Sequence, residues 1–222
     1  MPLPRRLIKP IAVACSLVFL GACAEHSRSP RVSALPEAVE LSGVPFFAQN
    51  AYQSAPAALA ALLTQQGEVV TPGLLESELR LPQQEESLQR SIEDVARRHG
   101  LLVYPLGSGL DDLLEQVAAG NPVMVYLKQG YGLLPSWRFA LLVGYDLENR
   151  TLLLRSGHQR RMQMGFGEFE AGWDAASRWA VLLQSPDQLP AAVERGRWLK
   201  GAEELDAAGQ AETASIARRQ MP

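Results

Sequence analysis

The sequence contains very little cysteine and histidine. Its only two cysteines, Cys15 and Cys23, lie close to the start of the chain. The remaining chain therefore has no thiol for a disulfide or for a thiolate nucleophile. It also lacks a dense basic stretch, and its formal net charge is -3. These features argue against nucleic acid as a partner.

Motifs for a bound cofactor are also missing. The sequence has no metal-ligand spacing and no glycine-rich loop of the kind that cradles a phosphate. We therefore expect no metal and no cofactor. The share of hydrophobic residues, 47%, and of charged residues, 20%, is typical of a folded protein with a packed core.

The first 23 residues have the layout of a secretory signal. Arg5, Arg6 and Lys9 precede a short apolar run at 11–20, and small residues then lead to Cys23. The ending LGAC resembles the lipobox of bacterial lipoproteins, in which the cysteine is lipidated and becomes the first mature residue. An ordinary signal peptide or a weak anchor helix is the alternative.

The lipobox resemblance implies a location for the mature protein. Residues 1–22 would be removed, and Cys23 would carry the lipid that attaches the chain to the membrane. Ala24 follows it rather than aspartate, so the retention signal for the inner membrane is missing. We therefore expect the periplasmic face of the outer membrane, with the polar segment 24–40 as a tether.

Residues 41–187 are predicted to form an α+β domain. Helical spacing of apolar residues dominates its first half and β-type runs its second half, which favours helices packed on an antiparallel sheet. The predicted helices are 54–66, 72–79, 87–99 and 110–119; the predicted strands are 101–104, 122–128, 139–145, 151–155 and 179–184.

Residues 188–222 are predicted to form a helical tail. They contain two polar, alanine-rich helical stretches with a break near Lys200 and Gly201. The tail resembles the start of a helical-hairpin repeat array. Because one such hairpin cannot bury a core alone, we expect it to pack on the domain or on a partner.

Four segments of the domain resemble a known family. These are VPFFAQ, YQSAPAALAALL, NPVMVYL and SWRFALLVGYD, which occur in this order along the chain. They resemble cysteine peptidase family 39, the bacteriocin-processing or double-glycine leader peptidases. The resemblance implies a papain-like fold over most of the region from Leu41 to Gln184.

The resemblance also assigns roles to positions, and most of the expected residues are replaced. Gln49 falls on the glutamine that stabilises the oxyanion. Ser54 stands where the family has its nucleophilic cysteine, and Arg138 where it has the general-base histidine. Ser156 falls near the aspartate or asparagine that orients that histidine.

The replacements cannot perform the family's chemistry. A serine hydroxyl needs a positioned base, and the guanidinium of Arg138 cannot accept a proton near neutral pH. We therefore predict an inactive peptidase-like protein that binds peptide or protein in the former cleft. Gln49, Ser54, Trp137 and Arg138 are the predicted binding residues, and Arg138 favours a carboxylate-bearing ligand.

Three alternatives stay open at this stage. Ser54 is a nucleophile if an unrecognised base such as His158 approaches it. The protein is an adaptor or assembly lipoprotein if its tail is the active part. Ser54 is also explained as a helix N-cap, and Trp137 as ordinary packing.

Overall fold

The computed structural model describes residues 29–82, 84–130 and 136–221, so the predicted signal and Cys23 lie outside the described residues. Within these ranges the chain forms eight helices and seven strands. In chain order they are α1 Pro30–Ser33, β1 Ala38–Glu40, α2 Ser54–Gln65, α3 Pro72–Glu78, α4 Glu85–Arg98, β2 Leu102–Pro105, α5 Leu110–Ala118, β3 Val123–Gln129, β4 Ser136–Asp146, β5 Thr151–Ser156, β6 Gln159–Gly165, α6 Phe166–Ala175, β7 Ala180–Gln184, α7 Arg195–Ala207 and α8 Ala211–Arg219.

The strands form one antiparallel sheet in the order β2-β7-β3-β4-β5-β6. β4 is longer than β3, which pairs with it only as far as Leu142. β1 pairs with the remaining part of β4, with Ala38 opposite Asp146. The predicted α+β class with an antiparallel sheet is therefore confirmed.

The central strands bury side chains on both faces. Val125 and Ala140 belong to one apolar cluster, together with residues of α5, α6, α7 and α8. Tyr126 and Phe139, their neighbours along β3 and β4, belong to a second cluster with α2, α3 and α4. The alternation of side chains along a strand thus divides the helices into two layers.

Several predicted helix ends are confirmed. Thr71 is the N-cap of α3, where its side chain accepts from the amide of Leu74, and Pro72 is the first helical residue. Gly67 and Gly100 follow α2 and α4 with φ angles of 94° and 76°. Glycine adopts these angles without a steric penalty.

Part of the predicted tether belongs to the folded domain. The Ser29 hydroxyl donates to Asp111 Oδ2 at 2.5 Å, and Arg31 Nη2 lies 2.6 Å from Glu115 Oε2. α1 therefore contacts α5, and β1 extends the sheet. Residues 29–40 are therefore part of the folded domain and not of the predicted tether. A polar segment can still dock on a domain through ion pairs and backbone hydrogen bonds. No helix in the described ranges has the length and apolar character needed to cross a membrane.

The tail packs on the domain rather than standing apart. α7 continues through Gly201, so the predicted break at that position is wrong; the chain turns at Gly209, whose φ angle is 85°. Trp198 is fully buried, and its indole donates to the carbonyl of Ala217 at 2.8 Å. Gly201 is needed because α7 approaches β2 closely, not because the helix ends there.

The close approach of α7 to β2 at Gly201 predicts that alanine at this position destabilises the protein, although alanine usually favours a helix. A Cβ at Gly201 would lie 2.8 Å from Leu102 Cδ2 and 3.1 Å from the carbonyl oxygen of Val103. We expect Gly201→Ala to lower the free energy of unfolding by about 1–3 kcal/mol through overpacking. Unfolding of the parent and the variant in denaturant measures this change.

The matched control is Gly196→Ala in the same helix. A Cβ there meets nothing within 4 Å, so helix propensity alone should leave stability unchanged or raise it by up to about 1 kcal/mol. Equal effects of the two substitutions would contradict the docking of α7 on β2.

Candidate functional site

Helix α2 begins at the position that the family resemblance aligns with the nucleophile. Its N-cap is Gln53, which makes no side-chain capping bond, and Ser54 is the first helical residue. The backbone amide of Gln53 is held instead by Asn50 Oδ1 at 3.1 Å. The interpretation of Ser54 as the N-cap is therefore wrong, because its hydroxyl is used elsewhere.

The Ser54 hydroxyl joins α2 to β4. It donates to the carbonyl of Ala51 at 2.7 Å and accepts from the amide of Phe139 at 3.1 Å. Ser54 is only 3% exposed. Both bonds go to the backbone, so the hydroxyl proton is directed at a carbonyl rather than at a base. The second bond places Ser54 next to the residue that follows Arg138.

Arg138 lies at the start of β4 and is half-buried. Its Nε donates to the hydroxyl of Ser136 at 3.0 Å. Its Nη1 is buried without a hydrogen-bond partner among the described residues and lies 3.3 Å from the Cβ position of Gly157. Ion pairs between Arg138 and the described carboxylates are absent. The side chain thus brings a positive charge with unused donor capacity to this edge of the sheet.

Gln49 approaches the same turn from the segment before α2. Its backbone amide donates to the carbonyl of Gly157 at 3.0 Å. The side chain is buried, and its Oε1 has no hydrogen-bond partner in the described part of the chain. Gln49 and Arg138 therefore converge on Gly157, whose φ angle of 60° suits the tight turn between β5 and β6.

Ser156 is paired away from Arg138. Its side chain is buried and exchanges hydrogen bonds with the amide of Gln129, at 3.1 Å and 3.2 Å. Ser156 and Gln129 satisfy each other, so the hydroxyl does not orient Arg138.

Trp137 and His158 have contrasting environments. Trp137 stacks on Tyr126 with ring centroids 5.8 Å apart, and Lys128 Nζ lies 5.9 Å from its ring centre. His158 is exposed in the turn between β5 and β6. Trp137 is half-buried and packs against the second apolar cluster, on the face of β4 opposite to Arg138.

Arg155 was missed by sequence reasoning, although an arginine inside the apolar run TLLLR is a usable signal. It is 5% exposed, and its Nη2 donates to the carbonyls of Leu41 and Ser42 at 3.2 Å and 3.1 Å. Burial lowers the pKa of this guanidinium, and the positive charge of Arg160 adds to the effect. Arg155 supports the segment that leads to Gln49.

This arrangement is built from amide, hydroxyl and guanidinium groups. In the described residues no group of His, Cys, Asp and Glu is arranged to hold a metal ion. The chemistry that these groups offer is hydrogen bonding and charge pairing.

Comparison with solved structures agrees with this fold. A structure described as a C39-like peptidase from Bacillus anthracis matches with a TM-score of 0.54 at 16% identity, over 66% of this chain and 97% of that chain. The chain has the fold of the C39-like peptidases. The family resemblance seen in the sequence is thereby confirmed at the level of fold.

Two further structures match less closely. Xylellain, a cysteine protease from Xylella fastidiosa, is 13% identical with a TM-score of 0.49, over 71% of this chain and 89% of that chain. A double-glycine motif protease from an AMS/PCAT transporter, in complex with its leader peptide, is 13% identical with a TM-score of 0.43, over 63% and 89%. No protein-family model and no curated protein sequence matches the chain.

The two backbone bonds of Ser54 predict a structural cost for removing its hydroxyl. Ser54→Ala leaves the buried amide of Phe139 without its acceptor, so we expect the free energy of unfolding to fall by about 1–3 kcal/mol. Thermal or denaturant unfolding measures this change.

Thr64→Val in the same helix is the control. The Thr64 hydroxyl is buried without a described partner, so its removal should be neutral or stabilising. If Ser54→Ala is as harmless as Thr64→Val, then the hydroxyl does not hold α2 to β4.

Proposed function

We propose that this protein is an inactive peptidase-like protein that binds a peptide or protein segment at the former active site. The observation that carries the proposal is the hydrogen bonding of Ser54, whose hydroxyl donates to the Ala51 carbonyl and accepts from the Phe139 amide. A nucleophile must instead give its proton to a base. The residue at the position of the nucleophile instead holds α2 to β4.

The surrounding groups support the absence of hydrolysis. The dipole of α2 contributes only about 0.3–2 kcal/mol to stabilising an anion at its N-terminus, far too little to ionise a serine hydroxyl. The guanidinium of Arg138 carries donors only and has no lone pair with which to accept a proton near neutral pH. Ser156 bonds to Gln129 rather than to Arg138. Among the described residues, the groups bonded to Ser54 are a backbone carbonyl and a backbone amide, and neither takes the hydroxyl proton in acyl transfer.

The same groups favour binding of a carboxylate-bearing peptide. Arg138 has a buried Nη1 without a described partner, and planar guanidinium groups match carboxylates well. Gln49 approaches the same turn through its bond to Gly157. The half-buried ring of Trp137, on the other face of β4, adds an apolar surface at the start of the same strand. The ligand would therefore place an acidic side chain or a free C-terminus at Arg138.

Attachment to the membrane completes the proposal. The LGAC sequence ending at Cys23 supports lipidation, and Ala24 supports the outer membrane. Since α1 and β1 are docked on the domain, only the stretch before Ser29 would separate the lipid from the folded part. The binding site would then work close to the periplasmic face of that membrane.

Arg138→Met tests the binding function. A display library of random peptides supplies candidate ligands, and each selected peptide is synthesised with a free and with an amidated C-terminus. We expect acidic residues or the free carboxylate to be required, and Arg138→Met to weaken binding about tenfold or more, since a charge-assisted hydrogen bond contributes about 1.5–3 kcal/mol. Calorimetric titration measures the affinity.

Arg160→Met is the matched control, because Arg160 is an exposed arginine on β6 and its loss should leave binding unchanged. The parent and Ser54→Ala are also compared on peptide and ester substrates, where we expect equal background rates. Turnover by the parent that Ser54→Ala lacks would show an active hydrolase and overturn the proposal. Equal loss of binding in both arginine variants would show that general charge, not Arg138, attracts the ligand.

Cys23→Ser tests the membrane attachment. We expect the parent to incorporate a palmitate analogue and to fractionate with outer membranes, and the variant to lose both properties because the lipidated sulfur is missing. Cys15→Ser is the control and should behave as the parent. Unchanged labelling of Cys23→Ser would mean that the chain is anchored differently or not at all.

A further inference from the structure

Gln49 and Arg155 line one small cavity between α2 and the sheet. Its volume is about 10 Å3, and its apolar wall includes Phe47, Ala58 and Leu141. Both polar side chains are almost fully buried, at 4% exposure for Gln49 and 5% for Arg155. Two buried polar groups on one apolar cavity require a hydrogen-bonding account.

The hydrogen bonds that these side chains make to the protein are incomplete. Arg155 uses Nη2 on the carbonyls of Leu41 and Ser42. Its Nε and Nη1, and Oε1 of Gln49, are buried without a partner among the described residues. Arg155 therefore has unused donors and Gln49 an unused acceptor, and both side chains line the cavity. Arg155 stays charged, so its donors have a strong need for partners.

The size of the cavity selects what joins the two groups. A volume of about 10 Å3 is at the lower limit for a single water molecule, and the two polar side chains supply the partners that such a water needs. A water accepts from a guanidinium N–H and donates to an amide oxygen, so it satisfies both sides at once. A halide ion is larger and is repelled by the carbonyl oxygen of Gln49, which makes it the poorer occupant.

We infer that Arg155 is a positioning residue for Gln49, acting through one buried water that accepts from its guanidinium and donates to Gln49 Oε1. The water fixes the orientation of the side-chain amide, with Oε1 turned into the cavity. The amide nitrogen Nε2 then lies on the other edge, free to donate to a ligand oxygen. The role of Gln49 in ligand binding rests on the proposed function. The hydrogen bonds from Arg155 through the water to Gln49 do not.

Side-chain amide spectra of the 15N-labelled full chain test this inference. The NH2 signals of Gln49 are assigned from their loss in Gln49→Ala. In the parent we expect two signals displaced from those of exposed glutamines, with a cross-peak to a long-lived water. In Arg155→Met the cross-peak should vanish and the signals should move to the values of mobile glutamines. Arg155→Lys, which keeps the charge and donors, should retain part of the displacement.

Arg160→Met is the control for loss of a positive charge nearby, and it should leave the Gln49 signals unchanged. Unchanged signals in a folded Arg155→Met would overturn the inference. If that variant does not fold, a high-resolution crystal structure of the parent decides. One water within about 2.7–3.2 Å of Arg155 and of Gln49 Oε1 supports it; a direct bond between the two side chains, or anomalous signal from soaked bromide, contradicts it.

The outcome separates this inference from the proposed function. If the selected peptides bind, Arg155→Met should weaken them about fivefold or more, because Gln49 is no longer held. If no peptide binds but the amide signals respond to Arg155 as expected, the proposed function fails and the positioning role stands.

Discussion

The paired strands β3 and β4 are covered by apolar side chains on both faces, and this constraint organises the whole chain. One face requires the layer of α2, α3 and α4, and the other requires α5, α6 and the helical tail. Because α2 must lie across this pair, its first residue meets the start of β4. The bond between the Phe139 amide and the Ser54 hydroxyl closes that junction. The candidate site lies at this junction between α2 and β4.

Polar groups at this junction fall into two kinds. Ser54 and Ser156, which the family resemblance aligns with two catalytic positions, have their hydroxyls bonded inside the protein. Gln49, Arg138 and Arg155 instead keep buried polar atoms without described partners. The first kind stabilises the fold, and the second kind keeps hydrogen-bonding capacity. A binding role fits the unused donor of Arg138, whereas Arg155 and Gln49 Oε1 are the groups that we infer to share a buried water.

Sequence patterns predicted the sheet well and its surroundings less well. The β-type runs of β3, β4, β5 and β7 are long, apolar and bounded by turn residues, so their period is easily read. Helix α6 was not predicted, although Phe166, Phe169 and Trp173 recur at helical spacing and are buried. The tail break at Gly201 was predicted from propensity alone. Close packing on Leu102 overrides that propensity, because the absent Cβ lets the two elements meet.

The sequence by itself predicted the order of helices α2 to α5 and of strands β2 to β5 and β7. Its resemblance to family 39 implied that Ser54 and Arg138 stand in place of a catalytic cysteine and histidine. Neither inference needed coordinates. Only the tertiary structure decided that residues 29–40 pack on the domain, that the Ser54 proton faces a carbonyl, and that Arg155 shares a cavity with Gln49. Those facts depend on which distant backbone groups meet across the sheet. Contacts between residues far apart in sequence decide which hydrogen bonds form and which charges are buried. The helical and strand periods, in contrast, are local properties of the chain.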